Sequence, residues 1–326
     1  MTVGSATSRA EGRRAALAID IGGTKAEAAI VATDGSLVAG SRVRAETGPR
    51  TTAHGLQSAV QSLVRACLAA LPPGIRLIGA GIGSAGPLDR AARTVSPVNM
   101  PAAAGTPVAQ IVEAALGERI GSLPAVLALD GTALALAEHW LTPGHPPQSL
   151  LGIVVSTGVG GGLVMDGLPV TGTTGNAGQI GQSYASGYGT VTTLEEIASG
   201  PASVRYARAL GWSGQTGEDL ARSAAEQDTA AITAIDRSAH AVGNSVASLA
   251  AVVDFERVVI AGGFSRVIPD YATRVARRLQ HHPFAHVRAI TIEAATRPLD
   301  GPLIGAAALA FTAGESAAHQ NARMLD

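Results

Sequence analysis

Apolar positions along the chain come in short blocks whose spacing switches between two periods. Residues 17–21 form an apolar run interrupted only by Asp20, and residues 26–32 form a second extended run. Gly22 and Gly23 stand between them, the pattern of a β-hairpin bent at two glycines. A third strand is expected over 37–44, after the turn Asp34-Gly35. The period then lengthens. Leu56, Val60, Leu63, Val64, Cys67 and Leu68 share one face of a helix over 53–70, which Pro72-Pro73-Gly74 stops. Residues 75–82 read as a buried strand leading into 83–89, residues 94–108 as loop, and 108–116 as a short helix. Another buried strand is expected over 126–129, then a helix over 132–140 after Asp130-Gly131. Strands and helices in succession argue for an α/β layer architecture.

The hairpin pattern returns in the second half. A strand over 149–156 meets Thr157-Gly158-Val159-Gly160-Gly161-Gly162, followed by Leu163-Val164-Met165 and the turn Asp166-Gly167. Two strand–glycine–strand units suggest a duplicated fold that grips phosphate from both sides. Residues 171–193, rich in Gly, Thr and Ser, read as irregular. Helices are expected over 194–198, 201–210, 218–226 and, at greater length, 230–253. A strand over 258–261 turns through Gly262-Gly263 into a helix over 268–279. A last strand is expected over 286–292 and an Ala-rich helix over 303–311.

Composition narrows the classes. A chain of 326 residues makes one large or two ordinary domains. It is 46% hydrophobic but only 3% aromatic, so Ala, Val, Leu and Ile must fill the core. Lys and Arg number 24 against 25 Asp and Glu, so no whole-chain charge draws it to nucleic acid. The single cysteine, Cys67, lies on the apolar helix face and reads as a small buried hydrophobe. It excludes an internal disulfide framework and a Cys-rich metal site, and fits a reducing cytoplasm. No apolar stretch reaches membrane-spanning length. The run 15–19 is too short for a signal-peptide core, and residues 1–14 read as a frayed tail. His281, His282 and His286, beside Pro283, read as surface residues.

The chemistry concentrates at the strand ends. Gly22 and Gly23 let backbone N–H groups close on an anion. Asp20 suits a hydrated Mg²⁺, which favours carboxylate and phosphate oxygens. Thr24 adds a hydroxyl and Lys25 a positive charge. An ordinary tight hairpin with a surface lysine accounts for this segment as well. Asp130 ends a strand and precedes a helix, the place where open α/β sheets put ligand chemistry. Asp is also a common helix cap, and both roles are compatible.

These segments together resemble the ROK family, sugar kinases and related repressors of the actin/hexokinase/Hsp70 superfamily, over roughly 17–311. Asp20-Ile21-Gly22-Gly23-Thr24-Lys25 looks like the family's first phosphate motif. Ser156-Thr157-Gly158-Val159-Gly160-Gly161-Gly162 looks like the second, and Ala261-Gly262-Gly263 like the nucleotide-side glycine turn. The resemblance implies a two-lobed α/β actin-like ATPase (ribonuclease H-like) fold that closes a central cleft on its substrate. It places 15–117 with 303–326 in a smaller lobe and 118–302 in a larger one. It implies ATP and Mg²⁺ as cofactors, Asp130 as catalytic base and Asp20 near the metal. Phosphates would meet Gly22, Gly23, Thr24, Lys25, Thr157, Gly158, Gly160, Gly161, Gly262 and Gly263. A small polyol would meet Asn99, Leu129, Gln179, Gln182 and Glu195. Neither nucleic acid nor membrane is expected as a partner, and family analogy suggests a homodimer.

The departures from the family pattern fall on the sugar side. Leu129 stands where Asn usually precedes the catalytic Asp. The usual Ala-Gly-Glu-x-Gly-His is here Ala177-Gly178-Gln179-Ile180-Gly181-Gln182. The zinc motif Cys-x-Cys-Gly-x-x-Gly-Cys falls on 186–193, where Ser186, Tyr188 and Thr193 replace its cysteines, so no structural zinc is expected. Ala102-Ala103-Ala104 occupies the loop that usually carries a Trp. The resemblance therefore implies a kinase acting on the primary hydroxyl of a sugar-like polyol. A C7-cyclitol of valiolone type, as used in antibiotic-type pathways, is favoured over an amino sugar of kanosamine type or glucose. A repressor reading is disfavoured because only nineteen residues precede Asp20, too few for a helix-turn-helix domain. A non-catalytic sugar sensor is the third reading, motivated by the replaced Glu, His and cysteines.

Overall fold

A computed structural model describes residues 13–144, 146–185, 191–297 and 299–323. Strands β1 (Arg13–Ile21) and β2 (Lys25–Ala32) form the expected antiparallel hairpin, with Asp20 opposite Glu27. Strand β3 (Val43–Glu46) pairs with β2, later and shorter than the strand expected over 37–44. Gly40 takes a positive φ of 75° and breaks that run. The Ser41 hydroxyl then accepts from Ile30 N at 3.0 Å and donates to Val38 O at 2.7 Å, so a side chain replaces the strand ladder. Helix α1 (Ala53–Ala69) is capped by Thr52, whose side chain accepts from Gly55 N. It buries Leu56, Val60, Leu63, Val64 and Cys67 in the core beneath the first sheet.

Strand β4 (Ile75–Ser84) runs parallel to β1. The short strands β5 (Leu88–Asp89) and β6 (Thr94–Val95) pair with each other. Helix α2 (Val108–Ile120) crosses over to β7 (Ala125–Leu129), which adds to β4 in parallel. Parallel neighbours need such a crossover. It carries the first sheet past residue 117, where the smaller lobe was expected to end. The sheet order is β3-β2-β1-β4-β7.

Helix α3 (Asp130–Leu141) follows β7 without a break. A second hairpin, β8 (Ser149–Val155) and β9 (Val159–Met165), opens the second sheet and is extended by β10 (Leu168–Val170). A small hairpin, β11 (Tyr184–Ala185) with β12 (Thr192–Thr193), leads into four helices. They are α4 (Leu194–Ala198), α5 (Gly200–Ala209), α6 (Gly217–Ala225) and α7 (Thr229–Val253). Strand β13 (Arg257–Ala261) returns parallel to β8. Helix α8 (Tyr271–Leu279) begins three residues later than the expected 268, because Pro269 disfavours helical backbone at Ile268. The strand expected over 286–292 is mostly helix: α9 (Ala285–Ala289) takes its start and buries Val287. Only β14 (Thr291–Ala294) pairs, in parallel with β13. The resulting order, β10-β9-β8-β13-β14, repeats the plan of the first sheet. No helix among the described residues is long and apolar enough to cross a membrane.

Helix α10 (Gly301–Arg323) joins the two halves. Leu303, Ala306, Ala307 and Ala310 pack on Ala16, Ala18, Ala29 and Val31 of the first sheet. Ala308 and Leu309 join Leu136 of α3 and Leu150, Val164 and Val259 of the second sheet. The approach is backbone to backbone: a methyl on Gly81 would strike the Ala306 carbonyl. Gly81→Ala is therefore expected to cost about 1–3 kcal/mol, as overpacking does. Gly117→Ala, in an open stretch of α2 with nothing within 4 Å, should be neutral or stabilising. Urea unfolding of both variants checks this; equal midpoints would show that α10 is not seated through Gly81.

Candidate active site

The two sheets point the C-terminal ends of their parallel strands at one cleft of about 530 Å³. Asp20 and the turn Gly22-Gly23-Thr24-Lys25 enter from the first sheet, and Thr157, Gly158 and Gly160 from the second hairpin. Gly262 and Gly263 line it after β13, and Asn99, Gln179, Gln182 and Glu195 close the remaining side around Asp130. Two expected residues stand elsewhere. Gly161 lies beneath the cleft, where its missing side chain admits the carbonyl of Gly178 and the side chain of Ile180. Leu129 is buried in the first-sheet core, under Gly86.

Asp130 is the first residue of α3, and the cap position belongs to Leu129, whose side chain caps nothing. The Asp130 carboxylate accepts from Gly131 N at 2.7 Å and otherwise faces the cleft. Its Oδ1 lies 3.0 Å from where a side chain at Gly160 would begin, so a larger residue there would press on it. Burial pushes the Asp130 carboxyl up to about 6, with the charge of Glu195 adding to the rise and the Gly131 N–H opposing it. Asp20 is pushed up to about 7, first by burial and then by the charge of Asp130. Lys25 lowers it only in part.

The reason lies in Glu27, which pattern reading missed because it is one of the alternating positions of a strand. Lys25 Nζ is 2.7 Å from Glu27 Oε2, and Arg42 reaches the same oxygen at 3.2 Å. Burial works against the charge on Glu27, but the bonds from Lys25 and Arg42 outweigh it and hold its carboxyl below the usual range. Lys25 is thus engaged sideways along β2. Asp20 and Asp130 present two oxygen donors whose charge the protein does not neutralise. That donor set fits Mg²⁺, which is commonly held by one or two carboxylates together with substrate phosphates.

On the acceptor side, Glu195 accepts from Val159 N at 2.8 Å and occupies the space a side chain on Gly158 would need. Thr193 caps its helix, receiving Glu196 N at 3.3 Å while the Glu196 side chain returns to Thr193 N at 2.9 Å. Asn99 Nδ2 lies 3.0 Å from the position a side chain on Gly23 would take. The Gln179 amide fills the space above Gly86. Of the positions matched to the zinc motif, Ser186 and Tyr188 lie outside the described residues. Among the described residues no three His, Cys, Asp or Glu side chains group as metal ligands.

A second cavity of about 620 Å³ adjoins the cleft and shares Ser156, Thr157, Gly263 and Arg266 with it. Its far walls are Pro201 and Val204 of α5, Gln215 and Thr216 before α6, and Phe264. None of these was singled out from the sequence as a ligand contact. Gly200 N donates to Ser156 O at 2.8 Å, tying the start of α5 to the second glycine turn. The only sequence signal for this wall was Gly200-Pro201 at a helix start.

Two sheets of one strand plan, each sending a glycine hairpin into a shared cleft, define the two-lobed actin-like ATPase class. The ROK family pattern matches residues 16–313. An N-acetylmannosamine kinase of Yersinia pseudotuberculosis serotype O:1b (strain IP 31758) is 32% identical over 306 residues, 91% of this chain and 98% of its own. A ROK hexokinase from Thermus thermophilus superposes with a TM-score of 0.74 at 30% identity, over 93% of this chain and 99% of that one. A ROK family glucokinase from Streptomyces griseus, in complex with glucose and AMPPNP, superposes with a TM-score of 0.73 at 26% identity, over 91% and 99% of the two chains. The chain belongs to the ROK family. It falls with that family's sugar kinases, ATP-dependent phosphotransferases with an alcohol acceptor.

Two outcomes test Asp130. As a general base it would have to be ionised, so kcat/KM should fall as pH drops through about 6. A profile flat from pH 5 to 8 would remove it as the base. Its carboxyl is raised above the unfolded value, so the folded state holds that proton more tightly. The resulting penalty is absent at low pH and grows as pH rises through 4 to 6. Asp130→Asn should therefore lower kcat about 10²–10⁴-fold. It should also stabilise the fold at pH 8 by on the order of 1–3 kcal/mol. The gain should vanish near pH 4, as read by urea unfolding at both pH values.

Proposed function

We propose that this chain transfers the γ-phosphoryl group of ATP to the primary hydroxyl of a sugar-like polyol, with Asp130 as general base. The observation that carries this is the placing of one carboxylate, Asp130, between the glycine turns on one side and Asn99, Gln179 and Glu195 on the other. Phosphoryl transfer asks mainly for positioning and charge stabilisation. Asp130 would take the hydroxyl proton as the oxygen attacks. Glu195, fixed by Val159 N, would hold a neighbouring hydroxyl of the acceptor. Backbone N–H groups at the two glycine turns would meet phosphate oxygens. Asp20 would hold a hydrated Mg²⁺ together with phosphate oxygens, and the ion would neutralise phosphate charge.

The acceptor in this reading is a C7-cyclitol with a free CH₂OH group. Leu129 packs in the first-sheet core and does not line the cleft, so the selectivity falls to Gln179 and Gln182. Gln179 and Gln182 offer neutral amides in place of Glu and His, so an ammonium on the acceptor gains less than at a carboxylate. The similarity to an N-acetylmannosamine kinase supports a second reading, an amino-sugar kinase whose substrate is acylated and therefore uncharged.

A side-by-side kcat/KM panel of glucose, N-acetylmannosamine, kanosamine and a valiolone-type cyclitol separates these readings. The cyclitol is expected to exceed glucose by at least about 10²-fold. N-acetylmannosamine as best substrate would establish the second reading, and glucose as best would sink the view that Gln179 and Gln182 redirect the site. Acceptor-independent ATP turnover alone would return the chain to a sensing role.

A further inference from the structure

The cleft carries a charge problem that the glycine turns do not solve. Four carboxylates line it, Asp20, Glu27, Asp130 and Glu195, against two cations, Lys25 and Arg266. With all of them ionised the lining carries a formal −2, and a triphosphate brings more charge of the same sign. Lys25 is already paired with Glu27 at 2.7 Å. Arg266 has no ion pair or side-chain hydrogen bond among the described residues. It is exposed, and it lines both the cleft and the adjoining 620 Å³ cavity. Arg205 lines the adjoining cavity alone, within reach of the charge of Glu196.

The backbone under Arg266 is well anchored. It ends a 3₁₀ turn, Phe264–Arg266, whose Ser265 hydroxyl donates to Gly262 O at 3.0 Å. Phe264 is buried and meets the Tyr271 ring edge-on at 6.3 Å. Tyr271 OH in turn shares a 2.7 Å bond with Ser238. The guanidinium therefore swings from a fixed point at the junction of the two cavities. A nucleotide with its base and ribose in the larger cavity and its terminal phosphate beside Asp130 must pass that junction with its α- and β-phosphates.

We infer that Arg266 is a nucleotide-binding residue that holds the α- or β-phosphate of ATP through its guanidinium, supplying the free cation that Lys25 does not. The geometry suits Arg because a planar fork can engage two phosphate oxygens at once. The inference rests on ATP as phosphoryl donor, so binding is measured on the parent protein first.

The test is calorimetric titration of ATP, ADP and adenosine into the parent, Arg266→Gln and Arg266→Lys, without acceptor. For Arg266→Gln, Kd for ATP and ADP should rise about 10–100-fold, while Kd for adenosine stays within about two-fold. Arg266→Lys should fall between the two, and KM for the acceptor should not move. Unchanged ATP affinity in Arg266→Gln would overturn the inference, and so would an equal loss for adenosine. A parent that fails to bind ATP would overturn the donor assignment and the role of Arg266 together. Because Arg266 is exposed and makes no ion pair or side-chain hydrogen bond among the described residues, its variants should keep the parent's thermal midpoint.

Discussion

Two carboxylates that face one another out of bulk water set the terms for the rest of this cleft. Burial opposes charge on both, the charge of Asp130 adds to the rise at Asp20 and that of Glu195 to the rise at Asp130, and both carboxyls are pushed well above their ordinary range. A fold selected for stability alone would place a lysine between them. Here Lys25 stands one β-hairpin turn away but is drawn aside by Glu27, whose own charge is stabilised by Arg42. The structure thus keeps a local excess of carboxylates in the cleft between the two glycine hairpins. Strain of this kind at a site, supported by ordered surroundings, is the usual mark of chemistry.

The surroundings that support it are mostly backbone. Gly158 and Gly160 leave room for Glu195 and Asp130, so the second hairpin approaches both carboxylates more closely than a side chain would permit. Glu195 is then held by Val159 N, and Asp130 by Gly131 N. The positions of both carboxylates are therefore set against the same turn.

Much of this was legible in the sequence, for identifiable reasons. Gly22-Gly23 and Gly158 to Gly162 each sit between apolar runs of strand length, and both hairpins formed there. Asp130 was legible because a buried strand ends directly before it. Glu27 was not, because only the register that sets it opposite Asp20 reveals the partnership with Lys25. The adjoining 620 Å³ cavity was hidden for a related reason: Pro201, Gln215 and Phe264 come from three separated segments and carry no shared motif. Leu129 shows the opposite error. Its neighbour Asp130 turns to the cleft, but β7 alternates sides, and Leu129 points into the core. The strand expected over 286–292 failed because Ala285, Arg288 and Ala289 favour a short helix, leaving too few positions for a longer edge strand.

The seating of α10 bears on how the chain is made. Strands β1, β2 and β4 are among the first elements synthesised, yet the helix that covers Ala16, Ala18, Ala29 and Val31 follows the whole second sheet. During synthesis one face of the first sheet must wait, apolar and unpartnered, while the other half of the molecule forms. Its filling by Ala16, Ala18, Ala29 and Val31 keeps the waiting surface small and weakly adhesive. The low aromatic content of the chain then has a meaning in the nascent state as well as the folded one: the half that begins first is finished last, and its exposed face is built to tolerate the delay.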